Sequence, residues 1–290
     1  MKTSAPLGRN SNMSERFSPQ NEEIQVDVLV VGSGNGGLTA ALCAYELGLK
    51  NVLVIEKSDK YGGTSATSGG MVWIPCNRYA REAGVLDSLE EARAYLQQAI
   101  PPVAGAVPAE RLDTYLREGP RMLDFLHERT RVRYQVIAHL PGLQPDQNPF
   151  FHNVFVRSLE PEPLYPNVLG GEGHSLREPH RMHWVLDRIL LTLGEVLTLF
   201  ARAPGWRSAL AGMLWDYVSD VPWVLTHRRS RRLACGAAGI ARLRWSMLDR
   251  GMPFWLNAQM KDLLTDDRGR VVGATVFRDG RRIVAQGDPL

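Results

Sequence analysis

The sequence predicts an α/β fold in which a parallel sheet is covered by helices and joined to a β-meander. Three observations predict it. Two short aliphatic runs, residues 26–31 (VDVLVV) and 51–55 (NVLVI), flank a stretch of helical periodicity, the pattern of a right-handed βαβ unit of about 30 residues. A second helix-patterned stretch, 237–250, leads into strand-like segments over 253–257 and 261–285. Those segments are punctuated by Asp266-Asp267-Arg268-Gly269 and Asp279-Gly280, both hairpin signals.

The run 26–31 is almost uninterrupted in β-branched and aliphatic residues, as a strand covered on both faces requires. It ends in glycines. From residue 35 to 48 the apolar Leu38, Ala41, Leu42 and Tyr45 recur at helical spacing, and Gly48 supplies a stop. Helices follow over 87–100 and 108–129, with Ser88 and Glu91 spaced as a capping box, and a strand over 131–138. Prolines crowd between residues 140 and 181 and argue against regular elements there. A long insertion is expected. Residues 184–217 then read as two helices broken at Pro204-Gly205, the first buried and amphipathic. The chain divides into a disordered tail (1–24), the first part of an α/β domain (25–138), a Pro-rich and helical insertion (139–234) and the second part of the domain (235–290).

The chain has 290 residues, 44% hydrophobic and 22% charged, which excludes wholesale disorder and collagen-like or disulfide-built scaffolds. Basic residues exceed acidic ones, 34 to 31, only because Arg228, Arg229, Arg231 and Arg232 stand together. A nucleic-acid partner is therefore not expected. Cys43, Cys76 and Cys235 are odd in number and widely separated, which suggests no disulfide framework and no zinc site, and fits a reducing, cytoplasmic compartment. The first two dozen residues lack a secretory apolar core. The most apolar later stretch, 184–200, carries Asp187, Arg188 and Glu195, whereas a membrane span needs roughly 20 nearly uncharged residues.

The chemistry lies at the strand-to-helix junction. Gly32-Ser33-Gly34-Asn35-Gly36-Gly37 contains G-x-G-x-x-G between the first strand and the first helix, and Glu56 closes the next strand 19 positions after Gly37. That context defines a Rossmann-like dinucleotide site. Gly32 permits the tight turn, Gly34 lets backbone approach a diphosphate at the helix N-terminus, and Gly37 lets helix and sheet pack closely. Glu56 is placed to accept from a ribose 2′-hydroxyl and would repel a 2′-phosphate, which disfavours NADP against FAD or NAD. A second stretch of glycines and small hydroxyls, Tyr61-Gly62-Gly63-Thr64-Ser65-Ala66-Thr67-Ser68-Gly69-Gly70, suits the second phosphate, ribityl chain and ring edge of a flavin. A nicotinamide site has no use for it.

VDVLVVGSGNGGLTAALCAYELGLKNVLVIEK followed by YGGTSATSGGMVWIPCN resembles the FAD-binding start of the fumarate-reductase-like flavoproteins, especially the 3-ketosteroid Δ1-dehydrogenase group. The ending Trp73-Ile74-Pro75 favours the steroid branch. A second patch of similarity runs over 235–283, where Gly236-x-x-Gly239 opens a helix and DDRGRVVGATV matches the family's meander. The resemblance implies a Rossmann-like FAD-binding domain, incomplete at its C-terminus, because members run on through a further A-T-G-G-like turn, a substrate-covering domain and a last flavin segment. It implies cofactor contacts from Gly32, Ser33, Gly34, Asn35, Gly36, Gly37, Glu56, Lys57, Gly63, Thr64, Ser65, Ser68, Gly69 and Gly70, and from main-chain groups near Met260. The implied reaction removes a hydride and a proton from a carbon pair beside the ketone of an apolar, steroid-like substrate. One base tyrosine is expected after the 131–138 strand, but 139–144 (HLPGLQ) holds none, so no catalytic residue is assigned.

The alternatives are a catalytically silent FAD-binding fragment and an NAD-dependent dehydrogenase. Plainer readings cover the rest of the chain. Cys76 is a small buried thiol, and His174, His180 and His183 are solvated loop residues rather than metal ligands. Residues 227–232 form an exposed turn. Trp184, Trp206, Trp215 and Trp223 pack the core or, in the other reading, line an apolar pocket.

Overall fold

The computed structural model describes residues 22–100, 108–137, 156–227 and 229–287. Most of the expected tail, the 139–144 stretch and Arg228 lie outside the described residues. Strands β1 (Glu22–Gln25) and β2 (Val28–Val31) lead into helix α1 (Asn35–Glu46) and strand β3 (Val52–Ile55). β2 and β3 pair in parallel, from Val28 opposite Val52 to Val31 opposite Ile55.

All four β3 side chains are buried, because successive residues of a strand point to opposite faces and both faces here are covered. Val52 and Val54 pack with Leu38, Ala41 and Leu42 of α1. Leu53 and Ile55 join a separate cluster on the other face. Each such aliphatic side chain contributes about 1.5–3 kcal/mol on burial, so β3 anchors both layers.

After β3 come α2 (Gly63–Thr67), β4 (Val72–Trp73), α3 (Arg78–Glu82), α4 (Leu89–Ala99), α5 (Ala109–Arg129), β5 (Tyr134–Val136) and β6 (Ser158–Pro161). Ser88 caps α4 by accepting from Glu91 N, but the other half of the expected box is replaced by Asp87, whose carboxylate accepts from Ser88 N. β6 pairs antiparallel with both β4 and β5, inside the stretch where the prolines argued against regular elements. Pro161 occupies its last position, where a missing N–H removes little of the ladder.

The helix expected to begin at 184 opens instead as a hairpin of β7 (Trp184–Val185) and β8 (Ile189–Leu190), turned by Leu186 and Asp187 at positive φ. Helix α6 (Leu193–Phe200) then starts from a Thr192/Glu195 capping box. The expected break at Pro204-Gly205 separates it from α7 (Trp206–Ser219), and α8 (Val221–His227) follows. Trp215 is 70% exposed and does not pack the core.

Helix α9 (Cys235–Leu248) is buried along most of its length and packs beside α1 on the parallel sheet through Ala238, Ala241 and Met247. β9 (Phe254–Trp255) extends that sheet in parallel on the far side of β3. The expected meander forms as β10 (Ala258–Thr265), β11 (Val271–Arg278) and β12 (Arg281–Gln286). It supplies Ala258, Val276, Ile283 and Ala285 to the cluster around Leu53 and Ile55. Residues 22–24, read from sequence as tail, lie in β1, which pairs in parallel with β12 from Glu22 opposite Ile283 to Gln25 opposite Gln286. The EEIQ sequence gives no strand signal; backbone pairing and the packing of Ile24 hold it there.

Three layers result, with α1 and α9 on one face of the sheet β2-β3-β9 and the meander sheet β1-β12-β11-β10 on the other. The first two layers meet closely at Gly37, where an added Cβ would collide with the Gly32 carbonyl oxygen and press on Val30. Gly37→Ala is therefore expected to lower unfolding free energy by roughly 1–3 kcal/mol or more. Urea denaturation measures it, and a variant as stable as the parent chain would show that α1 does not sit this close.

Candidate functional site

The carboxyl ends of β2 and β3 open into a cleft of about 760 Å³, the position where parallel sheets take their ligands. Gly32, Ser33 and Gly34 form one wall, Glu56 and Lys57 a second, and Gly63 and Thr64 a third; Gln259 and Met260 of β10 close the end. Thus β10 brings Met260, one of the residues expected to contact a cofactor, to the cleft.

Glu56, at the end of β3, organises the walls. Its Oε2 accepts from Ser33 N at 3.0 Å and from Ser33 Oγ at 2.5 Å, and its Oε1 accepts from Ser58 N at 3.0 Å. Ser33 Oγ accepts in turn from Gly62 N at 3.0 Å. Burial pushes the Glu56 carboxyl up, but the hydrogen bonds from Ser33 and Ser58, with the nearby Arg177 guanidinium, outweigh it and hold the pKa below the usual range. The group is an anion at neutral pH. A carboxylate offers about four acceptor sites, so Oε1 keeps capacity for a ligand hydroxyl.

The start of α1 has the opposite polarity and suits an anion. No side chain caps the helix from Gly34 and no acidic residue lies in its first turn, while Asn35 N donates to Ser65 Oγ at 3.0 Å. Free N–H groups and the helix dipole favour an anionic ligand there. Gly36 and Gly37 belong to this first turn and do not line the cleft.

The second glycine stretch is not an open loop. Residues 63–67 form α2, closed by Thr67 Oγ1 donating to Thr64 O and followed by Ser68 Oγ donating to Ser65 O. Short side-chain hydroxyls that satisfy nearby backbone oxygens favour such a turn, so part of the expected donor set is spent locally. Beyond it a smaller depression of about 170 Å³ is lined by Asn35, Ser65, Ser68 and Gly70, together with Tyr134 and Gly236. Gly69 lines neither space. α9 meets this loop closely: Gly236 N donates to Ser68 O at 3.0 Å, and a Cβ on Gly70 would strike the backbone of Cys235 and Gly236.

Sequence reasoning missed Arg177, Ser58 and Gln259, which also line the cleft. Arg177 lies in the Pro-rich stretch with no motif around it. Only a backbone bridge brings it in: Tyr61 N donates to Ser175 O at 2.8 Å and Arg177 N donates to Tyr61 O at 2.9 Å.

The remaining candidates stand apart. Burial and the nearby Asp87 push the Cys76 thiol up to about 11, the opposite of an activated thiolate. Among the described residues no cluster of His, Cys, Asp and Glu could hold a metal ion. The arginines of the expected exposed turn are tied by ion pairs, Arg229 with Glu178 and Asp187, Arg231 with Asp220, and Arg232 with Glu195, and Arg232 is largely buried. Trp184 and Trp223 border a separate cavity of about 540 Å³ whose wall mixes apolar side chains with Arg229 and Arg231. No described helix is long and apolar enough to cross a membrane.

A parallel sheet with an uncapped helix N-terminus, an ionised carboxylate at the end of β3 and a second depression farther along defines a dinucleotide-binding protein of the flavin type. The chain belongs to the FAD binding domain family, whose model matches residues 27–288, and its cofactor is FAD. It is related to the 3-ketosteroid Δ1-dehydrogenases. It is 31% identical over 270 residues to the 3-oxosteroid 1-dehydrogenase of Comamonas testosteroni, covering 90% of this chain and 44% of that protein. With the enzyme of the same name from Mycolicibacterium smegmatis it shares 36% over 263 residues, 87% of this chain and 42% of that one. Its fold matches the 3-ketosteroid Δ1-dehydrogenase of Sterolibacterium denitrificans, solved in complex with 1,4-androstadiene-3,17-dione, with a TM-score of 0.75 and 36% identity over 90% of this chain and 46% of that one. The chain thus spans less than half the length of the relatives it matches.

Glu56→Gln is expected to weaken FAD binding roughly tenfold or more, the size of one lost hydrogen bond to a charged group. A depressed carboxylate stabilises the fold fully above the unfolded glutamate value of about 4.3 and loses that contribution as pH falls through its lower folded value. Urea unfolding between pH 3 and 6 should therefore show a shallower acid-side decline in the glutamine variant. An identical slope would contradict the placement of the charge.

Proposed function

We propose that this chain is the FAD-binding portion of a flavin-dependent dehydrogenase that removes a hydride and a proton from a carbon pair beside the ketone of a steroid-like substrate. The observation that supports it most is the line of spaces from the Glu56 end of the cleft, past the α1 N-terminus, to the depression at Ser68 and Gly70. It suits an elongated dinucleotide. When bound, FAD supplies a hydride acceptor.

The chain's own groups divide the work along that line. Glu56 accepts from the adenosine ribose, and Lys57, Gln259 and Met260 enclose the adenine end. The N–H groups at the start of α1 stabilise the diphosphate. Asn35, Gly63, Thr64 and Ser65 flank the passage, and Ser68, Gly69 and Gly70 edge the flavin end. Substrate specificity and turnover belong to the protein that carries this portion together with the remainder its relatives have.

A second reading, in which these 290 residues bind FAD without turnover, is favoured by the chemistry around the smaller depression. Among the described residues Tyr134 is its only titratable lining residue, and burial pushes that phenol up to about 12. At neutral pH it keeps its proton and is no base.

Titrating FAD and NADH side by side against the chain, followed by flavin fluorescence and calorimetry, should give saturable FAD binding and none for NADH. The longer protein should then reduce an artificial dye when given a 3-ketosteroid, while the 290-residue chain should not. A preparation that stays colourless after FAD addition removes both readings, and steroid-dependent dye reduction by the short chain removes the second.

A further inference from the structure

Arg177 reaches the cleft from the inserted segment, outside every motif. Its backbone is fixed by the bridge to Tyr61, and its Nη2 donates to Ser58 Oγ at 3.1 Å. Ser58 N also holds Glu56 Oε1, so the guanidinium stands beside the proposed ribose-binding carboxylate and lowers its pKa. Its Nε is buried and has no hydrogen-bond partner among the described residues. A buried donor on a charged group is costly to leave unpaired, whereas the guanidinium fork suits ribose and phosphate oxygens well.

We propose that Arg177 is a specificity-determining residue of the cleft, donating to a ribose or phosphate oxygen of the AMP half of the dinucleotide. The proposal rests on the FAD reading above and deepens it. The other cations near it differ in place or partners. Arg229, Arg231 and Arg232 of the insertion are each bound to carboxylates, and Arg244 of α9, whose Nη1 is likewise buried without a partner among the described residues, pairs with Glu172 and does not line the cleft. The inserted segment therefore completes the cofactor site rather than merely lying over it.

The test uses the 290-residue chain with FAD, ADP and adenosine, reading FAD by fluorescence and the other two as competitors. Arg177→Gln should lose about tenfold in FAD affinity, with ADP weakened by the same factor. An equal loss for adenosine places the contact at the ribose; a loss for ADP alone places it at the phosphate; both support the proposal. FAD affinity within twofold of the parent chain, or a loss for FAD with ADP unaffected, would overturn it. Should thermal unfolding show that the glutamine variant does not fold, Arg177→Lys carries the test. It retains the charge but loses the fork, and about a fivefold loss is expected, against none if the fork makes no contact. A parent chain that binds neither FAD nor ADP would refute the cofactor reading itself, a distinct result.

Discussion

The structure depends on one buried carboxylate at the end of one strand buried on both faces. β3 is held between the helical layer and the meander by four side chains, two to each side, which leaves the position of its last residue little freedom. Glu56 then fastens the turn after β2 through Ser33 and the turn after β3 through Ser58. Ser33 passes the connection to Gly62 at the start of α2. The turn after β2 and the loop between β3 and α2 are thus registered against one another by hydrogen bonds that centre on a single charged group, the strong kind. Its ionisation is part of the architecture.

The second fixed point lies where α9 meets the loop after α2. Gly70 and Gly236 approach so closely that a side chain on either would strike backbone, and the Gly236 amide satisfies the Ser68 carbonyl. α9 also carries two buried arginines outward. Arg242 donates to the carbonyls of Arg131, Glu162 and Pro163, and Arg244 pairs with Glu172 while lying over the Phe254 ring. The helix that covers the sheet therefore also holds the inserted segment, and through it the strand-like stretch that carries Arg177.

Sequence legibility followed how local the deciding force was. The βαβ unit, the role of Gly37, the acidic end of β3 and both meander turns were readable because apolar periodicity and turn chemistry act within a few residues. β1 was not, since its four residues are polar apart from Ile24 and its place comes from pairing with β12, more than 250 positions away. β6 was hidden among prolines because pairing with β4 and β5 outweighs local composition. Of the hydroxyls expected to face a ligand, those of Thr67 and Ser68 close local turns instead. The 184–190 hairpin reads as a helix by hydropathy, and only the positive φ of Leu186 and Asp187 reverses it.

Arg177 shows the same limit at the functional site. Motif reasoning located the residues whose positions are set by backbone shape, such as Gly34 at a helix start or Glu56 at a strand end, because shape leaves a spacing in the sequence. A cation delivered by a long insertion leaves none: its position is fixed by the two backbone bonds between Tyr61 and the 175–177 segment, which need a backbone N–H at 177 but no particular side chain. Such positions can change while the scaffold stays intact. On the proposal made for Arg177, the glycine turn and the β3 carboxylate would set where the dinucleotide lies, and a residue of the insertion would set how tightly its outer half is held.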